Sequence, residues 1–238
     1  MQTYTFVFVC FIDNGEFIKE ALARMLAAGL GSGDDSAASE LLEQARRRVL
    51  EPSHAPLALF RGLPWAVKLD PDSGVVEFSA SSTLRSTHSC TPGFKGYYEV
   101  EILGLEMKPQ YGFATAAFER MRGATDDGVG DDAHSWAVDG ARQLKWHNGT
   151  EAWECIWQDG DVIGLACDLD AMQIHVSRNG SFAAPLGVVF SLSPDAVGDG
   201  LFAAFTGRSG KVRYNLGEAP FRHAPPAADF QAFVEFED

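Results

Sequence analysis

The fold turns on one stretch, "DDAHSWAVDGARQLKWHNGT", residues 131–150. Two tryptophans, Trp136 and Trp146, stand ten residues apart, and each is followed by a pair suited to a tight turn, Asp139-Gly140 and Asn148-Gly149. Such pairs tolerate positive φ at both central positions, which matches the twist of two antiparallel strands. The stretch therefore reads as hairpins with both tryptophans facing a core. Asn179-Gly180 repeats the signal further on. Asn148-Gly149-Thr150 and Asn179-Gly180-Ser181 also fit the glycosylation acceptor pattern, but the turn reading accounts for them without it.

The competing reading is catalytic, since Asp131, Asp132, His134, Asp139 and His147 lie close together and a histidine–carboxylate pair is an acid–base unit. No nucleophile elbow, glycine-rich phosphate loop or metalloprotease helix accompanies them. His147 falls at a strand end, where an imidazole bonds neighbouring backbone. The acidic run "TDDGVGDDAHS", residues 125–135, offers carboxylates to a hard cation but lacks the spacing of an EF-hand loop. No catalytic residue, metal site or cofactor is expected.

Outward from this stretch the same texture continues from about Leu57. Short alternating runs, among them "VVEFSA", "YYEVEIL", "YGFAT", "DVIGLACDL", "QIHVSR", "LFAAFT" and "KVRYNL", are separated by glycine and proline. In "VIGLACDL" Ile163, Leu165, Cys167 and Leu169 take one face, and Val162, Gly164, Ala166 and Asp168 the other. Many short strands at near-regular spacing predict an antiparallel two-sheet sandwich. A repeat of about forty residues, which a propeller needs, is absent. Core positions are expected at Trp136, Trp146, Ile163, Leu165, Cys167, Val212 and Tyr214.

The N-terminal part differs. Residues 3–12, "TYTFVFVCFI", read as one strand. Ile18, Leu22, Met25 and Leu26 recur at helical spacing, and Leu41, Leu42, Ala45 and Val49 do so in a second helix running to Leu50. Pro52 and Pro56 then break the chain. The expected organisation is an N-terminal strand plus two-helix extension (1–56), the sandwich (57–222), and a tail (223–238). Phe230, Phe233, Val234 and Phe236 make that tail too apolar to leave in water, so it docks on the domain or on a partner.

Composition narrows the partners. The chain has 238 residues, 46% of them hydrophobic, and a formal charge of −14. A phosphate backbone is repelled by such a field, so nucleic acid is excluded and a basic peptide or protein surface fits better. The apolar runs are far shorter than the roughly 20 residues of a membrane span. No basic residue precedes the first of them and no cleavage motif follows, so an intracellular, cytoplasmic protein is expected. Cys10, Cys90, Cys155 and Cys167 form no C-x-x-C pair and read as reduced, buried thiols.

An ordered series of motifs carries a family likeness: "GYYEVEIL" (96–103), "YGFAT" (111–115), "HSWAVDG" (134–140), "KWHNG" (145–149), "GDVIGLACDLD" (160–170), "IHVSRNGS" (174–181), "GLFAAF" (200–205) and "VRYNLG" (212–217). The series resembles the SPRY domain over about residues 85–222. The resemblance implies a mainly β fold, a bent two-sheet antiparallel sandwich of concanavalin-like jelly-roll type. It also implies a non-catalytic module that binds a protein or peptide through loops at one rim, with both tryptophans as scaffold.

Three connections are expected to meet at that rim: 118–132, 151–159 and 205–211. Their candidate partner-binding residues are Phe118, Arg120, Met121, Arg122, Trp153, Trp157, Phe205, Thr206 and Arg208, a mixture of aromatic anchors and orienting charges. Two other readings stay open. One is an architectural subunit of a larger assembly, held by the N-terminal helices and the tail; the other is lectin-like sugar binding by rim loops.

Overall fold

The computed structural model of the protein describes residues 57–62, 66–70, 72–104, 108–118 and 127–233. The expected N-terminal strand and two helices lie outside the described residues, as do Arg120, Met121, Arg122 and residues 234–238.

The described strands, numbered in chain order, pair into two antiparallel sheets of seven. The first sheet runs β1 (Leu57–Arg61), β4 (Ser82–Cys90), β13 (Leu201–Gly207), β6 (Gln110–Ala114), β7 (Ser135–Asp139), β8 (Leu144–Trp146) and β9 (Thr150–Ala152). The second runs β12 (Gly187–Ser191), β11 (Gln173–Arg178), β10 (Val162–Asp168), β5 (Lys95–Gly104), β14 (Gly210–Asn215), β3 (Val75–Phe78) and β2 (Val67–Asp70). The helix α1 (Pro194–Val197) is a single turn capped by the Ser193 side chain.

The inner faces meet through large side chains. Leu84, Tyr111, Phe113, Trp136 and Phe205 from the first sheet face Val76, Tyr98, Val100, Ile163, Leu165, Val176 and Val212 from the second, all buried. Aromatic edges meet faces at Tyr98–Phe113 (5.5 Å) and Tyr111–Phe205 (6.3 Å), an arrangement that matches ring quadrupoles. The Tyr98 hydroxyl crosses the sandwich and donates to the Gly112 carbonyl at 2.6 Å, with the Ala204 carbonyl at 3.2 Å. Burial pushes its pKa well above the ordinary tyrosine value, so it stays a donor.

Two expectations from the opening stretch are corrected. Trp146 pairs with Ala137 in register, on the outer face of the first sheet, and is half-buried rather than part of the inter-sheet core. The β7–β8 turn takes its positive φ at Gln143 (58°), not at Asp139-Gly140. Gly140 is small for a different reason: a Cβ there would lie 2.1 Å from the Trp157 ring. Asn179-Gly180 does adopt the expected turn, with φ of 52° and 78°.

On β10 both faces are buried, although the sequence alternates. The outer face is covered because the chain after β14 folds back across the second sheet. Glu99, which is 2% exposed, accepts the backbone N–H groups of Arg222 and His223, both at 2.8 Å. The Phe221 ring lies 4.8 Å from that of Tyr97. Lys95 pairs with Asp229 at 2.8 Å and Asp168 at 3.3 Å, and these carboxylates hold its ammonium above the ordinary lysine value. Gln231 bridges to Gly96. Phe233 then turns into the interior, 3% exposed, with its ring 5.9 Å from Tyr98 and 6.0 Å from Phe113. This strap fills the sandwich end beside Gly96, where any Cβ would strike the Phe233 ring. Phe233→Ala is expected to cost about 3–5 kcal/mol in chemical denaturation, as a large core truncation does. A loss below about 1 kcal/mol would contradict the buried placement.

Candidate recognition rim

At one edge of the first sheet, β4 begins, β13 ends and β6 begins, with Ser82 paired to Gly207 and Thr206 to Gln110. The β6–β7 connection leaves the sheet at the other edge, where Ala114 pairs with Ser135. The described ends of the connection lie over the outer face. Phe118 and Val129 pack there on Ala114, Ala137 and Ala204, flanked by Phe60 and Trp146, and make a small second core.

Buried hydrogen bonds fasten the returning strand of this connection. Thr206 Oγ1 accepts the Val129 N–H at 3.0 Å and lies 2.7 Å from Thr83 Oγ1, joining β13, β4 and the loop at one atom. Gln110 donates to the Val129 carbonyl at 3.0 Å and to Asp131 at 3.3 Å. Asp131 also accepts the Gly128 N–H at 2.5 Å. Gly128 has no room for a side chain, because a Cβ would lie 2.5 Å from the Gln110 amide oxygen. Asp132 accepts Ser135 Oγ at 2.6 Å, and Ser135 Oγ in turn accepts the Gly130 N–H at 2.7 Å. These bonds give the loop's Gly128, Val129 and Gly130 N–H groups each a side-chain acceptor, which is what fixes a loop in one shape.

The carboxylates and histidine of the opening stretch are used for structure. Asp139 is fully buried; it accepts the N–H groups of Ala141 and Arg142 and pairs with the Arg142 guanidinium. Burial pushes its carboxyl above the ordinary aspartate value, against the pull of those partners. Asp131 is raised likewise, chiefly by burial. The Arg142 guanidinium stacks over Trp146 at 4.3 Å, a cation–π contact. His147 stacks on Trp136 (4.7 Å, 14°), and its Nδ1 lies 2.9 Å from the Ser135 carbonyl. His134 donates to the Asp132 carboxylate at 3.0 Å through its backbone N–H, and no imidazole–carboxylate hydrogen bond forms among these residues. The described residues hold no group of three His, Cys, Asp or Glu side chains arranged to bind a metal.

The structure sorts the sequence-predicted contact residues into frame and surface. Phe118, Trp153, Trp157, Phe205 and Thr206 are all buried. Trp157 stacks on Tyr111 at 5.1 Å, and Trp153 meets Trp157 edge-on at 6.2 Å while its indole N–H donates to the Pro185 carbonyl at 3.0 Å. In this structure each of the five is enclosed by its own chain, at 4% exposure or less. Arg208, in the β13–β14 turn, is half-exposed. The stretch 127–132, the segment 153–159 and the turn 207–210 share this edge: Thr206 holds the first, and Tyr111, packed against both Phe205 and Trp157, joins the other two.

A second concavity lies on the outer face of the second sheet, about 580 Å³, between the strap and the turn at Asp72–Gly74. Its Arg213 and Arg222 guanidinia both pair with Glu101.

The geometry is that of a protein-interaction module, with a rigid sandwich and a loop-built edge. A model of the SPRY domain matches residues 95–219, more than half of the chain, and the chain belongs to the SPRY domain family. It is similar to the E3 ubiquitin-protein ligase RKP of Arabidopsis thaliana, with 34% identity over 166 residues that cover 68% of this chain. The match spans only 12% of that relative's length. Among solved structures it is similar to the SPRY domain of human HERC1, with 13% identity and a TM-score of 0.52 over 65% of this chain and 95% of that one. That likeness supports the fold.

Thr206→Val keeps the side-chain shape but deletes the shared oxygen. It is expected to lower stability by about 1–3 kcal/mol in a urea titration, because the Val129 N–H is left buried without an acceptor. No change would contradict the role of Thr206 as a node.

Proposed function

We propose that this chain is a non-catalytic recognition module that docks a protein or peptide on the rim formed by the β13–β14 turn and the pinned stretch 127–132. The observation that carries this is the Thr206 node. One buried hydroxyl ties two strands and the loop, so the exposed atoms of Arg208, Ser209 and Asp132 are presented in one fixed arrangement. A contact surface fixed before binding loses little entropy on docking.

The charge of −14 favours a basic partner surface, since complementary fields speed encounter and select orientation. The buried free thiols Cys90, Cys155 and Cys167 accord with a reducing, intracellular setting. No helix among the described residues is long and apolar enough to cross a membrane. In an enzyme such as the plant ligase, a domain of this kind would recruit a partner and leave the chemistry to other parts; the same recruiting role is proposed here. An architectural role anchored by the tail is less favoured, because Phe233 is already seated in its own domain.

A photo-crosslinking amino acid at Ser209 tests the rim directly, with one at Glu77, exposed on the outer face of the second sheet, as comparison. A partner is expected to crosslink from position 209 and not from 77. Arg208→Ala should weaken that partner's binding by about 1–3 kcal/mol without changing the melting temperature. Crosslinking from position 77 alone would contradict the rim.

A further inference from the structure

Among the described residues two large hydrophobic side chains are exposed, Ile156 at 62% and Val188 at 49%. Ile156 sits in a segment that is extended yet belongs to neither sheet. Burial alternates along it: Trp153, Cys155 and Trp157 point inward, while Glu154, Ile156 and Gln158 point to solvent. The segment is anchored at several points. The Trp153 N–H donates to the Gln143 carbonyl at 2.8 Å, the Trp157 N–H donates to the Gly140 carbonyl at 3.2 Å, and Arg178 donates to the Ile156 carbonyl. Two buried indoles therefore hold an isoleucine out in water at a fixed place.

The chemistry around Ile156 specifies what would cover it. Glu151 and Glu154 flank it on the N-terminal side and Asp159 on the other, all exposed. The neighbouring cations are already engaged, Lys145 with Glu151 at 3.1 Å and Arg178 with the Ile156 carbonyl. No described cation pairs with Glu154. An apolar knob on a rigid strip, with carboxylates on both sides, is complementary to an apolar socket edged by basic side chains. We infer that the strip Glu154–Gln158 is a contact epitope for a partner segment that combines large apolar residues with lysine or arginine. This rests on the reading of the domain as an interaction module, and adds to it a second contact strip on the edge that carries the Arg208 turn.

A phage-displayed random peptide library, selected on the full chain, provides the probe. The expected result is enrichment of peptides with net positive charge and at least one large aliphatic or aromatic residue, whose affinity falls with added salt. Ile156→Asp and Glu154→Arg should each weaken those peptides by about 10-fold or more, the effect of losing a buried aliphatic anchor or reversing a facing charge. Val188→Asp, which alters the other exposed hydrophobic side chain, should leave them unchanged. Melting temperatures of all three variants should match the parent, since the altered side chains are exposed. Peptides that are enriched but insensitive to Ile156→Asp and Glu154→Arg would overturn the epitope and leave the module reading standing. Neutral or acidic consensus peptides would overturn it as well. Failure to enrich any peptide would count against both.

Discussion

Strand β5 holds the molecule together because two successive residues do opposite work. Tyr98 points inward and bonds the backbone of the facing sheet through Gly112. Glu99 points outward and takes two backbone N–H groups of the returning strap. The period of two along a strand makes this possible: adjacent side chains emerge on opposite faces. Glycine makes room on the outer side: a Cβ at Gly164 would lie 2.4 Å from the Tyr97 hydroxyl. Within the facing sheet, a Cβ at Gly112 would lie 1.9 Å from the Trp136 carbonyl of the neighbouring strand β7. The spacing of the sheets and the seating of the strap thus follow from one central strand.

The buried Glu99 carboxylate would be costly without its partners, and the strap supplies them. Tyr97 donates a further bond to it at 3.2 Å. In return Glu99 orders residues 222–223, which brings Asp229 to Lys95 and Phe233 into the core. The outer face of β10 is closed in the process. A sequence that alternates like a half-exposed strand is consequently buried on both sides.

Much of the fold was legible because alternation and turn chemistry agree along β5, β6, β7, β10, β11, β13 and β14. Strand β4 was not, since "STLRSTHSC" has the composition of a loop. It is a paired strand between β1 and β13 all the same, and its hydroxyls serve as internal partners: Thr83 meets Thr206, and Ser86 accepts the Ala203 N–H at 3.1 Å. The site was legible only in outline. Aromatic residues in loops suggested contact anchors, but Trp153, Cys155 and Trp157 are two apart and all point inward, the signature of an extended segment lying on a core. That spacing also marks Glu154, Ile156 and Gln158 as the outward set, a signal present in the sequence and overlooked. Phe118 and Val129 were obscured for a different reason: the core they enter lies on the outer face of a sheet, and no periodicity within the loop reports it.

The proposed recognition rim is one that is fixed before any partner arrives. Amide hydrogen exchange of the free chain measures this most directly at Val129, whose N–H is bonded to Thr206 Oγ1. If the rim is pre-formed, that loop amide is protected to within about tenfold of the neighbouring β13 amides, since it opens only with the strand. Exchange at the rate of an unprotected loop would contradict the claim, whatever the sandwich beneath it does.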